Sequence, residues 1–193
     1  MIAVGIDPGS RIAGYGVVEA VPGGFRSLAA GILRLRGESL SERLLDLHRG
    51  LNELVLAHRP DAAAIEGVFS HRGVRSALIL SHARGVALLA MAQAEIPIHE
   101  YPPATVKRSL THGGASSKEG VARAVRQLLG LTEILRADAT DALAIAICHL
   151  SRRGGAAADQ GRPSAWLRAV AAAPAQPMTR ANELLRAALK GRR

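Results

Sequence analysis

The sequence predicts an α/β domain in which a mixed sheet, antiparallel at its start and parallel further on, carries helices on both faces. Three observations carry this. The first 35 residues fall into short apolar runs broken by Pro-Gly turns, the pattern of hairpin strands. From Ser39 onward the apolar residues recur every three or four positions, as on a helix buried along one stripe. Helical and strand-like segments then alternate to about residue 151, which implies layered packing of helices on a sheet.

In order, residues 1 to 7 are almost wholly apolar and read as a central strand covered on both sides. Asp7-Pro8-Gly9-Ser10 is a turn, Gly14 to Glu19 a returning strand, Pro22-Gly23-Gly24 another turn, and Phe25 to Leu35 a third strand. Leu40, Leu44, Leu47, Leu51 and Leu54 then share one face of a helix from Ser39 to His58, which Ser39 or Ser41 can cap and Pro60 ends. Ala62 to Glu66 is a short strand, Gly67 to Gly73 a loop, Arg75 to Ala94 a helix, and Ile96 to Tyr101 a strand. Pro102-Pro103 opens a short helix to Leu110, Thr111 to Ser117 is a Gly/Ser loop, and helices follow over Lys118–Leu129 and about Ala139–Ser151. Beyond Arg153, an alanine- and glycine-rich stretch with scattered proline and glutamine reads as a flexible linker, and Thr179 to Arg193 can form a basic helix. The expected division is a domain over 1–153 and a basic tail over 154–193.

Composition narrows the class. Hydrophobic residues make up 48 % of the chain but aromatics only 3 %, so the core is built from Leu, Ile, Val and Ala. The single cysteine, Cys148, excludes an intramolecular disulfide and suits a reducing compartment. It lies in an apolar helical run without a His or Asn/Asp partner pattern, and reads as a small buried hydrophobe. Met1 leads straight into Ile2-Ala3-Val4-Gly5-Ile6 with no basic n-region. The longest apolar stretch, Gly85 to Ala92, is far short of the roughly 20 residues of a membrane span. The expected location is the cytoplasm, with no membrane partner.

The formal charge of +9 is unevenly spread. Residues 151–193 hold nine of the 25 Lys and Arg but only two of the 16 Asp and Glu, so the tail carries +7 and the body +2. Basicity alone makes nucleic acid a plausible partner without selecting it.

The acids of the body are more informative. Asp7 ends a buried strand and Glu66 ends another, and strand ends line the ligand edge of open α/β sheets. Neither has a basic neighbour in sequence, and a buried carboxylate without a counter-charge is costly. Asp138 and Asp141 stand three apart at the start of the last helix, so both lie on one face. Taken singly, Asp138 serves equally as a helix N-cap, Asp141 as a favourable charge near the helix dipole, and Asp7 as a turn initiator. Together they form an all-oxygen set suited to Mg²⁺ or Mn²⁺. Two such ions about 4 Å apart can activate a water and stabilise the leaving oxygen of a phosphodiester.

The motifs are recognisable as a set. Gly5-Ile6-Asp7-Pro8-Gly9-Ser10 with Gly14-Tyr15-Gly16-Val17, then Ala64-Ile65-Glu66-Gly67-Val68-Phe69, then Ala83-Arg84-Gly85-Val86 and Val106-Lys107, and last Ala137 to Ala146 resemble the RuvC family of Holliday-junction resolvases. The match runs in order over about residues 1 to 150. It implies a ribonuclease H-like fold and a homodimer whose subunits each nick one of two like-polarity strands, leaving 5′-phosphate and 3′-hydroxyl ends. It also implies that Asp7, Glu66, Asp138 and Asp141 hold catalytic Mg²⁺, two ions per subunit with Mn²⁺ able to substitute, Asp7 bridging them. Some relatives carry His at the position of Asp138.

Phe69 falls where the family places an aromatic that stacks on unpaired junction bases. Lys107 and Lys118 match basic positions of the family, whereas Arg72 and Arg75 are candidate phosphate contacts read from the loop alone. The helix over 75–94 corresponds to a dimer-forming region, although its small residues equally suit core packing. The partners implied are four-way junction DNA, a second copy of the chain and the branch-migration motor of the same pathway. The tail is not covered by the resemblance, and reads as either an auxiliary DNA-binding arm or a solubilising extension.

Three other readings compete. Actin-like ATPases and sugar kinases open with a similar acidic strand, but their second Gly-rich phosphate loop is not found. A related nuclease family acting on ribosomal RNA precursors opens similarly. A non-catalytic junction- or DNA-binding protein would bind without cutting.

Overall fold

Burial on two faces explains why the first strand carries almost no polar side chain. In the computed structural model, which describes residues 1–67, 74–111 and 117–154, β1 (Ile2–Asp7) is the middle of a five-stranded sheet. β2 (Ile12–Val21) and β3 (Gly24–Arg34) lie to one side, β4 (Ala62–Glu66) and β5 (Ile98–Tyr101) to the other, in the order β3-β2-β1-β4-β5. The first three strands form the antiparallel meander, and β4 and β5 join parallel to β1. The α/β class and the mixed sheet match the sequence expectation. β2 runs longer than expected, gaining Ile12-Ala13 at one end and Ala20-Val21 at the other, while β3 keeps its expected length one residue earlier, and a bulge lies between Val17 and Val18.

Two helices cover one face and three the other. α1 (Leu40–His58) and α2 (Val74–Gln93) pack Leu47, Leu51, Ala87 and Met91 against Val4, Ile6, Ala63 and Ile65. α3 (Pro103–Leu110), α4 (Lys118–Leu129) and α5 (Ala137–Gly154) enclose a second core of Ala3, Val18, Ala64, Val106, Val125, Leu143 and Ile147. Strand alternation sorts the side chains between these cores. Val4, Ile6, Ala63 and Ile65 go to the α1/α2 face, so Asp7 and Glu66 leave the sheet on the α5 face.

Helix ends follow local chemistry. Ser39 Oγ accepts from the Glu42 N–H at 3.2 Å while Glu42 Oε2 accepts from the Ser39 N–H at 3.0 Å, a capping box that starts α1. Ser117 caps α4 through its Oγ, which accepts from the Gly120 N–H at 3.2 Å, and Gly130 ends that helix at φ 63°. α5 begins at Ala137, two residues earlier than the sequence suggested. Asp138 is therefore inside the first turn, and the N-cap alternative for it is excluded.

Ser76–Gln93 of α2 is long and apolar enough, by length and composition, to cross a membrane, with a mean hydropathy of 1.2. The sequence reading missed this because Ser, His and Arg interrupt its apolar runs. Its inner side is packed in the α1/α2 core through Ala83, Ala87, Ala90 and Met91, while Leu78 and Leu89 are more than half exposed.

Candidate metal centre and nucleic-acid interface

The acids converge because the sheet counts residues. Ile6 pairs with Ile65 across the parallel β1–β4 ladder, so Asp7 and Glu66 each stand one residue further on, at adjacent strand ends on the same face. Adjacent strands lie about 4.8 Å apart, which sets the carboxylates side by side. Asp7 is the register partner of Gly14 on β2. A β-carbon built on Gly14 would lie 1.9 Å from the Asp138 carbonyl oxygen, and one on Gly5 2.0 Å from that of Ala142. Only glycine lets the first turns of α5 rest directly on the strand backbones. That contact lowers Asp138 and Asp141 to the level of the strand-end acids.

One cavity of about 240 Å³ gathers Asp7, Glu66 and Asp141 with Lys107, Lys118, Pro103, Val106, Val121, Ala144 and Ile145. Asp138 is not in its wall; it is half-buried beside Gly14, and its charge raises the proton affinity of Asp141. Burial, and then the charge of Asp141, pushes the Glu66 carboxyl above its ordinary range. Burial likewise lifts Asp141, against the lowering effect of Lys118. Carboxylates whose proton affinity is raised by burial, and further by a neighbouring acid, are groups that a cation would relieve. The donors are all carboxylate oxygens, which fits a hard divalent ion. Among the described residues no three His, Cys, Asp or Glu side chains close to a metal-holding distance. The acids share a wall and repel, with Lys107 and Lys118 as their counter-charges.

The remaining expected residues divide sharply. Lys107 in α3 and Lys118 at the start of α4 are exposed and sit on the cavity; sequence reasoning expected them at phosphates and did not foresee their nearness to the acids. Phe69 and Arg72 lie outside the described residues, and of Arg75 only the helical backbone is described. His82 is exposed, its ring Nδ1 2.7 Å from the Leu78 carbonyl oxygen. Cys148 is fully buried and burial raises its thiol pKa, as expected of a structural cysteine.

Sequence reasoning missed two supports. Gly5 and Gly14 were visible as glycines inside strands, itself a sign of close backbone approach. The Arg84 side chain, noted only within a motif, donates to the Glu66 main-chain carbonyl.

Comparison with known proteins decides the family. The model of the family described as crossover junction endodeoxyribonuclease RuvC matches residues 3–149. The chain belongs to the RuvC family. A RuvC of Myxococcus xanthus is 51 % identical over 156 residues, covering 78 % of this chain and 81 % of that protein. A RuvC of Chloroflexus aurantiacus is 48 % identical over 151 residues, 77 % of this chain and 92 % of its own. The structure of Thermus thermophilus RuvC in complex with a Holliday junction substrate superposes with a TM-score of 0.76 at 35 % identity, over 79 % of this chain and 94 % of that one. The yeast mitochondrial resolvase Ydc2 shares the fold alone, at 12 % identity and a TM-score of 0.54. The fold is thus ribonuclease H-like, the enzyme class is that of an endodeoxyribonuclease, and nucleases of the RuvC family are metal-dependent.

Proposed function

We propose that this chain resolves four-way DNA junctions by paired, symmetric, metal-dependent nicks during recombination and repair, with Asp7, Glu66, Asp138 and Asp141 as its metal-holding catalytic residues. The observation that carries the reading is the cavity in which Asp7, Glu66 and Asp141 face Lys107 and Lys118. The ions are Mg²⁺, two per subunit, with Mn²⁺ able to replace them; when bound, they supply an activated water and a counter-charge for the leaving 3′ oxygen.

The chain's own residues do the rest. Burial raises the proton affinity of Glu66 and Asp141, and a bound cation would offset the cost of keeping both charged. Lys107 and Lys118 draw a phosphate to the cavity by Coulomb attraction, and Arg72 and Arg75 extend that track. Phe69, three residues beyond Glu66 in the sequence, stacks on an unpaired base at the branch.

Two strands must be cut, so two copies act together. The exposed Leu78 and Leu89, three helical turns apart on α2, support α2 as the surface where a homodimer forms. The branch-migration motor of the pathway is the proposed further partner and the cytoplasm the proposed location. The division into a nuclease domain over 1–153 and a basic tail over 154–193 belongs to the same proposal, supported by a family match that ends at residue 149.

The test is cleavage of a labelled synthetic four-way junction beside a linear duplex, with Mg²⁺, Mn²⁺ or EDTA. Symmetric paired nicks on the junction alone, lost in EDTA, are expected. Binding without cutting in every metal would leave a junction-binding protein; cutting of RNA or single strands would move the chain's substrate elsewhere.

A further inference from the structure

The strand that carries Glu66 is gripped from the side of the sheet away from the cavity. Arg84 projects from α2, with its side chain only 8 % exposed. One guanidinium N–H donates to the Glu66 carbonyl oxygen. The other terminal nitrogen lies 2.7 Å from Oε2 of Glu100. Glu100 pairs with Ile65 across β4–β5, so its side chain leaves the sheet towards α2 while that of Glu66 leaves towards the cavity.

Stability alone is a poor account of this pair. Burying a guanidinium and a carboxylate costs about as much as their attraction returns, and an apolar pair of equal volume often does better. Glu100 Oε1 is moreover buried without a hydrogen-bond partner among the described residues, which adds a cost. The choice of acceptor is what stands out. The β1–β4 ladder has its last pair at Ile6 and Ile65, so Glu66 stands one residue past the β1 side of the ladder. A planar fork with one arm on that peptide and the other on a fixed carboxylate constrains its orientation in a way a flexible ammonium cannot.

We propose that Arg84 is a positioning residue for Glu66: held by Glu100, it fixes the Glu66 peptide from the far face and so sets the direction in which the Glu66 carboxylate enters the cavity. The proposal rests on Glu66 being a metal ligand. Its consequence is that a residue in another core, on the opposite side of the sheet, governs metal affinity.

The test is Mn²⁺ binding to the full chain without DNA, followed by electron paramagnetic resonance, for wild type, Arg84→Lys, Arg84→Gln and Leu47→Ala. Leu47→Ala is the control, because it loosens the same core while leaving the contacts of Arg84 with Glu66 and Glu100 in place. Junction affinity and cleavage against metal concentration are measured alongside. Both Arg84 variants should bind Mn²⁺ about 10–100-fold more weakly, the usual loss when a group that orients a ligand is removed. Their cleavage should need correspondingly more metal, with junction affinity unchanged, while Leu47→Ala binds Mn²⁺ as wild type does. Arg84 variants that bind Mn²⁺ no worse than Leu47→Ala would overturn the proposal alone. Wild type that binds no Mn²⁺ would overturn the metal reading and this proposal with it. Should Arg84→Gln fail to fold, Arg84→Lys and Glu100→Gln carry the same comparison.

Discussion

The two faces of the sheet are built by different rules. On the α1/α2 side, large apolar side chains interlock: Leu47, Leu51 and Met91 meet Ile6 and Ile65, all at most 2 % exposed. Where α5 crosses β1 and β2 the contact is backbone on backbone, through Gly5, Gly14 and the carbonyls of Ala142 and Asp138. The first arrangement optimises buried volume, and volume can be redistributed among neighbours. The second fixes a distance, and no neighbour can take up the change. One face holds the sheet together; the other sets how far the helix acids stand from the strand acids.

That contrast can be broken most violently at the site itself. Asp7→Asn should reduce junction cleavage by about 10³-fold or more, since the interactions it supports are worth several kcal/mol in the transition state. Junction affinity in a gel-shift assay should be kept; a variant that still cuts at a tenth of the wild-type rate would remove Asp7 from the chemistry. Leu47→Ala tests the opposite face. It should cost about 2–5 kcal/mol in urea unfolding, yet leave single-turnover cleavage near wild type at temperatures where the variant is folded.

Gly14→Ala sharpens the comparison, because it adds one carbon to the distance-setting face. Its methyl would press on the Asp138 carbonyl and cost about 1–3 kcal/mol by overpacking. Cleavage should fall further than in Leu47→Ala although the fold loses less, and equal activity in the two variants would erase the distinction.

The smallest effect has the opposite sign. Burial and facing charges raise the native proton affinity of Glu66 and Asp141. The resulting destabilisation is fully present above their native pKa values, and fades as pH falls through those values towards the unfolded ones. With EDTA at pH 7, Glu66→Gln should therefore raise Tm slightly, in thermal unfolding of the metal-free chain. The gain over wild type should shrink on acidification, and a gain that grew instead would mean the carboxylate is favourably paired.

The sheet, its mixed direction and the strand-end acids were legible because burial on both faces leaves an almost unbroken apolar run that stops at a carboxylate. The bounds of β4 and α4 match the expected residues 62–66 and 118–129. Asp138 was less legible, since an acid at a helix start reads the same way whether it caps the helix or lies within its first turn. Lys107 and Lys118 were found as basic residues, but their place opposite Glu66 depends on how α3 and α4 dock, which no local pattern encodes. Arg84 was hidden for a similar reason: its acceptor is a main-chain oxygen 18 residues away, and main-chain acceptors leave no mark in a sequence.

The parallel pairing of Ile6 with Ile65 has a genetic consequence. Because side chains alternate between the faces, removing one alanine from Ala62-Ala63-Ala64, or adding one, would force a choice between register and facing. Keeping the ladder in place would turn Glu66 into the Leu47 core and Ile65 into the cavity. Substitutions can tune this site by degrees, whereas a single in-frame codon gained or lost in β4 inverts it, so alleles of that kind should behave as nulls whatever residue they insert.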